Sequence, residues 1–142
     1  MNSGGGRRRR GQREGMGHGL AQGVDGGFLG GDVVVIELDA NRRAQIDALG
    51  FTTLDPRATD QIEWVTEWTA GAGADVVFEV SGAAQAVLGA TDLAKVRGTV
   101  VVVAIHPVPR EINLQRLFWR ELSILGARVY QRVDFETAVE LL

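Results

Sequence analysis

The chain has 142 residues, which is enough for one domain with a single core and too short for two. Its 15 Lys and Arg against 18 Asp and Glu give a net charge of −3, and it has no cysteine, which excludes disulfides and thiolate metal sites. No apolar run approaches the roughly 20 residues of a membrane span, and the histidines His18 and His106 lack the spacing of paired metal ligands.

Residues 1–31 differ in composition from the rest of the chain. They hold twelve of the nineteen glycines, and five Arg against Glu14 and Asp25 give about +3, whereas residues 32–142 come to about −6. Such a segment loses much entropy on ordering, so we expect a disordered or non-native leader and a domain that starts at Asp32. The Arg run has no interleaved aromatic residues, so we do not expect nucleic-acid binding. It also lacks the apolar core of a secretory signal, which leaves the cytoplasm as the expected location.

From Asp32 onward, short apolar runs alternate with helical periods. The pattern predicts strands at residues 33–37, 51–54, 75–80, 99–105 and 122–126. It predicts helices at residues 39–50, 60–69, 83–97, 114–120 and 134–142, the first with Asp39 as its N-cap. This alternation is typical of an α/β fold with a doubly wound parallel sheet, in which all strand C-termini lie on one edge.

Several polar or small residues end the predicted strands and are expected on that edge, where open α/β sheets bind ligands: Glu37, Ser81, Gly82 and Ile105. Glu37 has the position of the acid that hydrogen-bonds an adenosine ribose in dinucleotide-binding folds. Glu79 lies inside an apolar strand, where an ionised acid is costly unless paired, so we expect a structural ion pair rather than a perturbed functional carboxylate. His106 is expected to be a loop residue, with contact to a substrate or cofactor as the alternative.

Four segments of the domain have a distinctive sequence. Residues 32–43 read Asp-Val-Val-Val-Ile-Glu-Leu-Asp-Ala-Asn-Arg-Arg, and residues 73–82 read Gly-Ala-Asp-Val-Val-Phe-Glu-Val-Ser-Gly. Residues 97–105 read Arg-Gly-Thr-Val-Val-Val-Val-Ala-Ile, and residues 118–128 read Phe-Trp-Arg-Glu-Leu-Ser-Ile-Leu-Gly-Ala-Arg. In this order and spacing they resemble the cofactor domain of zinc-type medium-chain dehydrogenases, the group of alcohol, sorbitol, butanediol and threonine dehydrogenases.

The resemblance implies roles for individual residues. Glu37 would accept hydrogen bonds from the adenine ribose and repel a 2′-phosphate, which favours NAD over NADP, and Arg42 would lie beside that ribose. The resemblance also implies that Val80, Ser81 and Gly82 line the cofactor cleft and that Val103, Ala104 and Ile105 lie near the nicotinamide. Ser123 and Leu125 would come from the late strand that reaches the nicotinamide end. In many members the late strand, here residues 122–127, pairs with a second subunit, so a homo-oligomer is expected.

Two parts that the family pattern requires are missing from this sequence. A first strand and a glycine-rich turn should precede Asp32, whereas residues 15–20 and 26–31 have neither the glycine spacing nor an apolar strand before them. We therefore expect an incomplete doubly wound, Rossmann-like sheet, in which the neighbours of the missing central strand are exposed. The zinc ligands and proton relay of the family's catalytic domain are also absent, so we assign no catalytic and no metal residue.

These observations lead to one interpretation and two alternatives. We interpret residues 32–142 as a partial NAD-binding domain from a fragment of an alcohol or polyol dehydrogenase, inactive alone. In the full-length family, hydride passes reversibly between a small secondary alcohol and NAD. One alternative is a non-catalytic nucleotide-binding or interaction module that pairs through residues 122–127. The other is an adenosylmethionine-dependent methyltransferase-like domain, which would need a glycine-rich loop before its second strand and an antiparallel last strand.

Overall fold

A computed structural model describes residues 31–140 and shows five strands and five helices there. The strands are β1 (Val34–Ile36), β2 (Thr52–Leu54), β3 (Ala74–Glu79), β4 (Ala94–Val102) and β5 (Ser123–Gly126). The helices are α1 (Ala40–Ala48), α2 (Gln61–Trp68), α3 (Ala84–Leu93), α4 (Leu114–Trp119) and α5 (Arg132–Glu140). They alternate along the chain as the sequence predicts. Within this part of the chain, no helix is long and apolar enough to span a membrane. The predicted leader, except for Gly31, lies outside the described residues.

Every strand pair in residues 31–140 is parallel, but the strands form two sheets rather than one. β1 pairs with β2, from Val34 opposite Thr52 to Ile36 opposite Leu54. In the second sheet, β4 lies between β3 and β5. β1 and β3 each keep one edge without a partner strand from the described range. The predicted fold class, an α/β fold with an incomplete Rossmann-like parallel sheet, is therefore confirmed.

Side-chain caps determine where three of the helices begin. The Asp39 carboxylate accepts a hydrogen bond of 2.8 Å from the backbone N–H of Arg42 at the start of α1. Asp60 accepts from two N–H groups of α2, at 2.9 and 3.0 Å, and Asn113 caps α4 at 3.0 Å. These caps satisfy N–H groups that the first turn of a helix leaves unpaired. The strand-to-helix turns beside the predicted ligand edge are thus set by local sequence.

The packed core lies in the three-stranded half. Ala90 of α3 and Ala94 and Val100 of β4 are at most 3 % exposed. Partly buried side chains pack against them: Val77, Val102, Leu122 and Ile124. Alanine at two of the three central positions lets α3 approach the sheet closely. In the other sheet, Leu54 is the one strand residue that is buried, with 7 % of its surface exposed.

β4 differs from its predicted limits at both ends. The sequence predicts residues 99–105, whereas the observed strand starts at Ala94, directly after α3, and ends at Val102. The Val103 N–H makes the last ladder bond, to the Glu79 carbonyl at 2.9 Å, and the Ala104 N–H donates to the same oxygen at 3.1 Å, so pairing with β3 ends there. The prediction was therefore wrong for residues 103–105, which belong to the loop after β4, and for residues 94–97, which were predicted as helix and form the start of β4.

Candidate functional site

The first group of predicted site residues lies where β1 ends and α1 begins. Glu37 follows β1, and its N–H donates to the Leu54 carbonyl of the neighbouring strand at 3.0 Å. Its carboxylate is paired with Arg42: Nε lies 3.2 Å from Oε2, and Nη2 donates to Oε1 at 3.2 Å. The backbone N–H of Asp39 also donates to Oε1, at 2.8 Å. The structure thus brings together the acid and the Arg that the sequence predicts side by side.

A second layer of charges holds the backbone next to Glu37. Arg43 donates to the carbonyls of Glu37 and Leu38 at 2.7 and 2.8 Å, and Arg57 donates to the Leu38 carbonyl at 2.8 Å. Asp55 joins the two cations, 3.0 Å from Arg43 and 2.8 Å from Arg57. Hydrogen bonds from the side chain and backbone of Arg57 hold the pKa of Asp55 well below its ordinary value. This network was not predicted from the sequence, because the local sequence around Asp55 indicates only a turn.

The second group is built around Glu79, the last residue of β3, which is 3 % exposed. Its Oε1 accepts hydrogen bonds from the Ser81 N–H at 2.9 Å, the Ser81 hydroxyl at 2.7 Å and the Gly82 N–H at 2.9 Å. Its Oε2 lies 3.0 Å from Nε2 of His106. We call these four residues the Glu79 group. The buried acid thus has a partner, His106, and a charged His106, which an ion pair requires, stays a prediction.

The protonation of the Glu79 group follows from its contacts. Burial raises the pKa of the Glu79 carboxyl, but hydrogen bonds from Ser81, Gly82 and His106 outweigh burial, so the pKa lies below its ordinary value of 4.5. The carboxylate is therefore an acceptor at neutral pH. Since a carboxylate can only accept, Nε2 of His106 is the donor of the 3.0 Å hydrogen bond to Glu79, and Nδ1 faces Arg110 Nε–H at 3.5 Å.

The carboxyl ends of β3 and β4 meet at this group. Val103 and Ala104 donate their N–H groups to the Glu79 carbonyl, at 2.9 and 3.1 Å. Gly82 has a φ of 73°, and a Cβ added there would lie 3.5 Å from the Ile105 carbonyl oxygen and 3.8 Å from the Ala104 methyl. The turn after β3 and the loop after β4 are thus in close contact. The predicted residues of these two segments lie together.

The other predicted residues differ in position and exposure. Val80 and Ile105 project into solvent, with exposed fractions of 68 % and 86 %. Ser123 is the first residue of β5 and lies at the amino end of the parallel sheet, whereas Leu125 lies next to its carboxyl end. The structure therefore does not bring Ser123 to the Glu79 group. The roles of these residues in cofactor binding stay predictions.

A cleft of about 410 Å³ opens beside the Glu79 group, between α3 and the loop after β4. Its walls are mainly apolar, with His106 and Arg110 as the charged or polar lining residues. Arg110 Nη2 lies 3.5 Å from the Gly82 carbonyl, which connects the cleft to the turn after β3. This volume is within the range of small-molecule pockets, about 300–1,000 Å³. The cleft lies on the edge where the sequence predicts ligand binding.

The chemistry of the available side chains fits a nucleotide and does not fit zinc. The sequence has no cysteine, and residues 31–140 contain no group of three or more His, Asp or Glu side chains that could hold a metal ion. A catalytic zinc needs three protein ligands and a structural zinc needs four. Glu37, by contrast, presents a carboxylate at a strand end, as a ribose requires, and Gly82 leaves room for close approach to the backbone.

Comparisons with known proteins extend this picture. The model of the zinc-binding dehydrogenase family matches residues 15–142. The chain is 46 % identical, over 114 residues, to 2-dehydro-3-deoxy-L-galactonate 5-dehydrogenase of Pseudoalteromonas atlantica, covering 80 % of this chain and 33 % of that protein.

Solved structures show the same partial overlap. The crystal structure of 2R,3R-butanediol dehydrogenase from Bacillus subtilis superposes with a TM-score of 0.71 and 28 % identity, over 76 % of this chain and 31 % of that one. A zinc-binding dehydrogenase from Sinorhizobium meliloti 1021, bound to NADP, superposes with a TM-score of 0.60 and 33 % identity, over 66 % and 29 %. The chain thus spans about a third of the length of the relatives that it matches.

Proposed function

Since the chain belongs to the zinc-binding dehydrogenase family, we propose that residues 32–142 are the partial NAD-binding domain of an alcohol or polyol dehydrogenase. The whole enzyme would transfer hydride reversibly between a small secondary alcohol and NAD. Support for this substrate class comes from relatives named for a butanediol and for a deoxy sugar acid. The zinc ligands of such an enzyme would come from outside this sequence, so we expect the chain alone to bind nucleotide without turnover.

The main support for the proposal is the position of Glu37 at the end of β1. A carboxylate has two oxygens that accept hydrogen bonds, which suits the two neighbouring hydroxyls of an adenosine ribose. The backbone of Glu37 is hydrogen-bonded to β2 and to Arg43, so the position of the acid is preorganised for a ligand. Arg42, whose side chain is 66 % exposed, can leave one carboxylate oxygen to a hydroxyl while it remains beside the adenosine. A 2′-phosphate at this position would meet the negative charge of Glu37, which favours NAD over NADP.

Nucleotide titrations of the purified chain test the proposal directly. We expect binding of adenosine 5′-monophosphate and of NADH, and binding of NADPH that is about tenfold weaker because of the charge on Glu37. Glu37→Gln should weaken binding of the monophosphate about tenfold, since a charged acceptor of ribose hydroxyls is lost. It should also narrow the difference between NADH and NADPH. Calorimetry and NADH fluorescence provide the dissociation constants.

Glu63→Gln is the matched control, because Glu63 lies on the exposed face of α2 and contributes no side-chain contact to this edge. It should bind all three nucleotides as the parent chain does. If the parent chain binds neither the monophosphate nor NADH, the proposal is refuted. Equal affinities for NADH and NADPH would refute the cofactor preference while leaving nucleotide binding intact.

The methyltransferase-like alternative has less support. Its last strand would be antiparallel, whereas β5 pairs in parallel with β4 from Ser123 to Gly126. Adenosylmethionine in the same titrations discriminates between the two ligands. Binding of adenosylmethionine in preference to NADH would reverse our choice.

A non-catalytic interaction role has one observation in its favour. β5 pairs only with β4 among the described strands, and Leu125 on it is 55 % exposed. An edge strand offers unpaired N–H and C=O groups to another chain. We include in the proposal that two copies associate through residues 122–127. Light scattering across a concentration series tests this, and a monomer at every concentration would exclude it.

A further inference from the structure

Glu79 is unusual among the charged residues of this protein. Within residues 31–140 it is the one ionisable side chain in the buried class. Burying an ionised carboxylate costs several kcal/mol unless partners replace its water, and a well-packed apolar residue often serves a core equally well. The protein therefore retains a costly group at the ligand edge. The hydrogen-bond partners of the Glu79 carboxylate indicate its role at this edge of the sheet.

The partners of Glu79 belong to two different segments. Three donors from the turn after β3 converge on Oε1, at 2.7 to 2.9 Å, and His106 from the loop after β4 meets Oε2 at 3.0 Å. The backbone carbonyl of the same residue accepts from the first two N–H groups of that loop, at 2.9 and 3.1 Å. One residue therefore contacts both segments, where Gly82 and Ile105 approach each other.

We propose that Glu79 is a positioning residue for the nicotinamide half of the cofactor cleft, acting through its simultaneous hold on the 81–82 turn and on His106. This inference rests on the proposed function, because it takes the two segments as walls of that cleft. Glu79 itself is buried and does not contact the ligand. It sets the distance between groups that do.

The chemistry of the acid explains why an amide cannot replace it. All the contacts of the Glu79 carboxylate are with donors, and a carboxylate is acceptor-only, whereas the glutamine amide has one accepting and one donating end. With its oxygen kept on the three donors of the turn, the Gln NH₂ would face Nε2 of His106. His106 would then have to move its proton to Nδ1, where it meets Arg110 Nε–H. Glu79→Gln should therefore displace the loop while keeping side-chain volume.

A purely structural role for Glu79 makes a different prediction. Ser81 Oγ also accepts from the Ala83 N–H at 3.1 Å, so the group also orders the turn that leads into α3. If stability were the whole role, a variant would lose affinity for every nucleotide in proportion to its loss of folded protein. A positioning role affects only ligands that reach the loop after β4.

Two ligands of different length separate these readings. Adenosine 5′-monophosphate would occupy only the adenosine site at Glu37, whereas NADH would extend from that site to the loop after β4. In Glu79→Gln we expect affinity for NADH to fall about tenfold or more, with affinity for the monophosphate within about twofold of the parent chain. The fluorescence change of the nicotinamide on binding should be lost as well. Circular dichroism confirms that the variant is folded.

His106→Ala provides a second variant if Glu79→Gln does not fold, because it leaves the buried acid and its three turn donors in place. It should show the same selective loss for NADH, and His106→Gln, which restores an N–H donor, should recover part of it. The control is Glu111→Gln, an exposed acid in the same loop, which should change neither affinity.

Each outcome decides between the possibilities. Unchanged NADH affinity in Glu79→Gln or His106→Ala overturns the inference, as does an equal loss for NADH and the monophosphate. A parent chain that binds NADH no more tightly than the monophosphate also overturns it, while nucleotide binding at Glu37 stands. A parent chain that binds neither ligand refutes the proposed function itself.

Discussion

The two sheets of this protein hold their parts of the candidate site by different means. In the β1–β2 sheet, Glu37 is oriented by partly exposed charges: Arg42, Arg43 and the Asp55–Arg57 pair. In the β3–β4–β5 sheet, the turn and the loop are oriented by one buried carboxylate above an apolar core. Exposed charges are weakened by salt and buried hydrogen bonds are not, so the two halves should respond differently to the same conditions.

The lengths of the strands explain the difference. β1 and β2 have three residues each, whereas β3 has six and β4 has nine. Short strands bury little apolar surface, and in this sheet Leu54 alone is buried. A ribose site needs only one acid at a strand end, which short strands can supply. A cleft between two segments needs packing that fixes both.

The largest effect should come from the loop that leads into β3. Gly73 has a φ of 88°, and an added Cβ would lie 2.9 Å from the backbone N and 3.0 Å from the Cα of Lys95, so the backbone itself would have to move. We expect Gly73→Ala to lower the free energy of unfolding by about 3 kcal/mol, combining a left-handed φ with overpacking. Urea denaturation followed by circular dichroism measures this.

Gly71→Ala is the control for that substitution. Its φ is 90°, but an added Cβ would have nothing within 4 Å, so only the cost of the left-handed conformation remains, about 1 kcal/mol. Equal losses in the two variants would mean that the contact with Lys95 is not what restricts Gly73.

The core of the three-stranded sheet is the next most sensitive place. Val100 is 3 % exposed and lies at the centre of the apolar cluster. Val100→Ala should lower the free energy of unfolding by about 2 kcal/mol, through lost burial and a residual cavity. Val103→Ala, three residues on and 42 % exposed, should cost less than about 0.5 kcal/mol. Similar urea midpoints for both variants would argue against the assigned core.

The smallest effect is expected in the two-stranded sheet. Asp55→Asn removes the acid that joins Arg43 to Arg57, and it should lower the melting temperature at low salt by less than Val100→Ala does. The difference from the parent chain should vanish near 1 M salt, where the Debye length is about 3 Å. Glu67→Gln, on the exposed side of α2, should have no effect at either salt concentration.

The pH dependence of the same variant follows from the lowered pKa of Asp55. Its ordinary value is 3.8 and the folded value lies lower, so its contribution to stability is present above about pH 3.8 and is lost as the pH falls toward the folded value. Asp55→Asn should therefore differ from the parent chain at pH 6 and converge with it in strong acid. A difference that grows on acidification would contradict the assigned ion pairs.

Much of the fold follows from local sequence. The order of strands and helices was predictable because apolar periodicity and caps such as Asp39 and Asp60 act within a few residues. The pairing of Glu37 with Arg42 was predictable for the same reason, since five residues and one strand-to-helix turn separate them. The split into two sheets agrees with the expected incomplete sheet, since β1 and β3 have no common neighbour among the described strands.

Other features depended on the tertiary structure. Glu79 and His106 are 27 positions apart, and their pairing requires that β3 and β4 lie side by side in register. The early end of β4 has the same origin, because the Ala104 N–H donates to the Glu79 carbonyl, which already accepts the last ladder bond from Val103. Sequence alone determined the order of the elements and the approximate ends of β1 and β3, but it placed the end of β4 three residues too late. Only the packing of those strands decided which of their end residues touch, because a local pattern specifies the face of an element and not its partner.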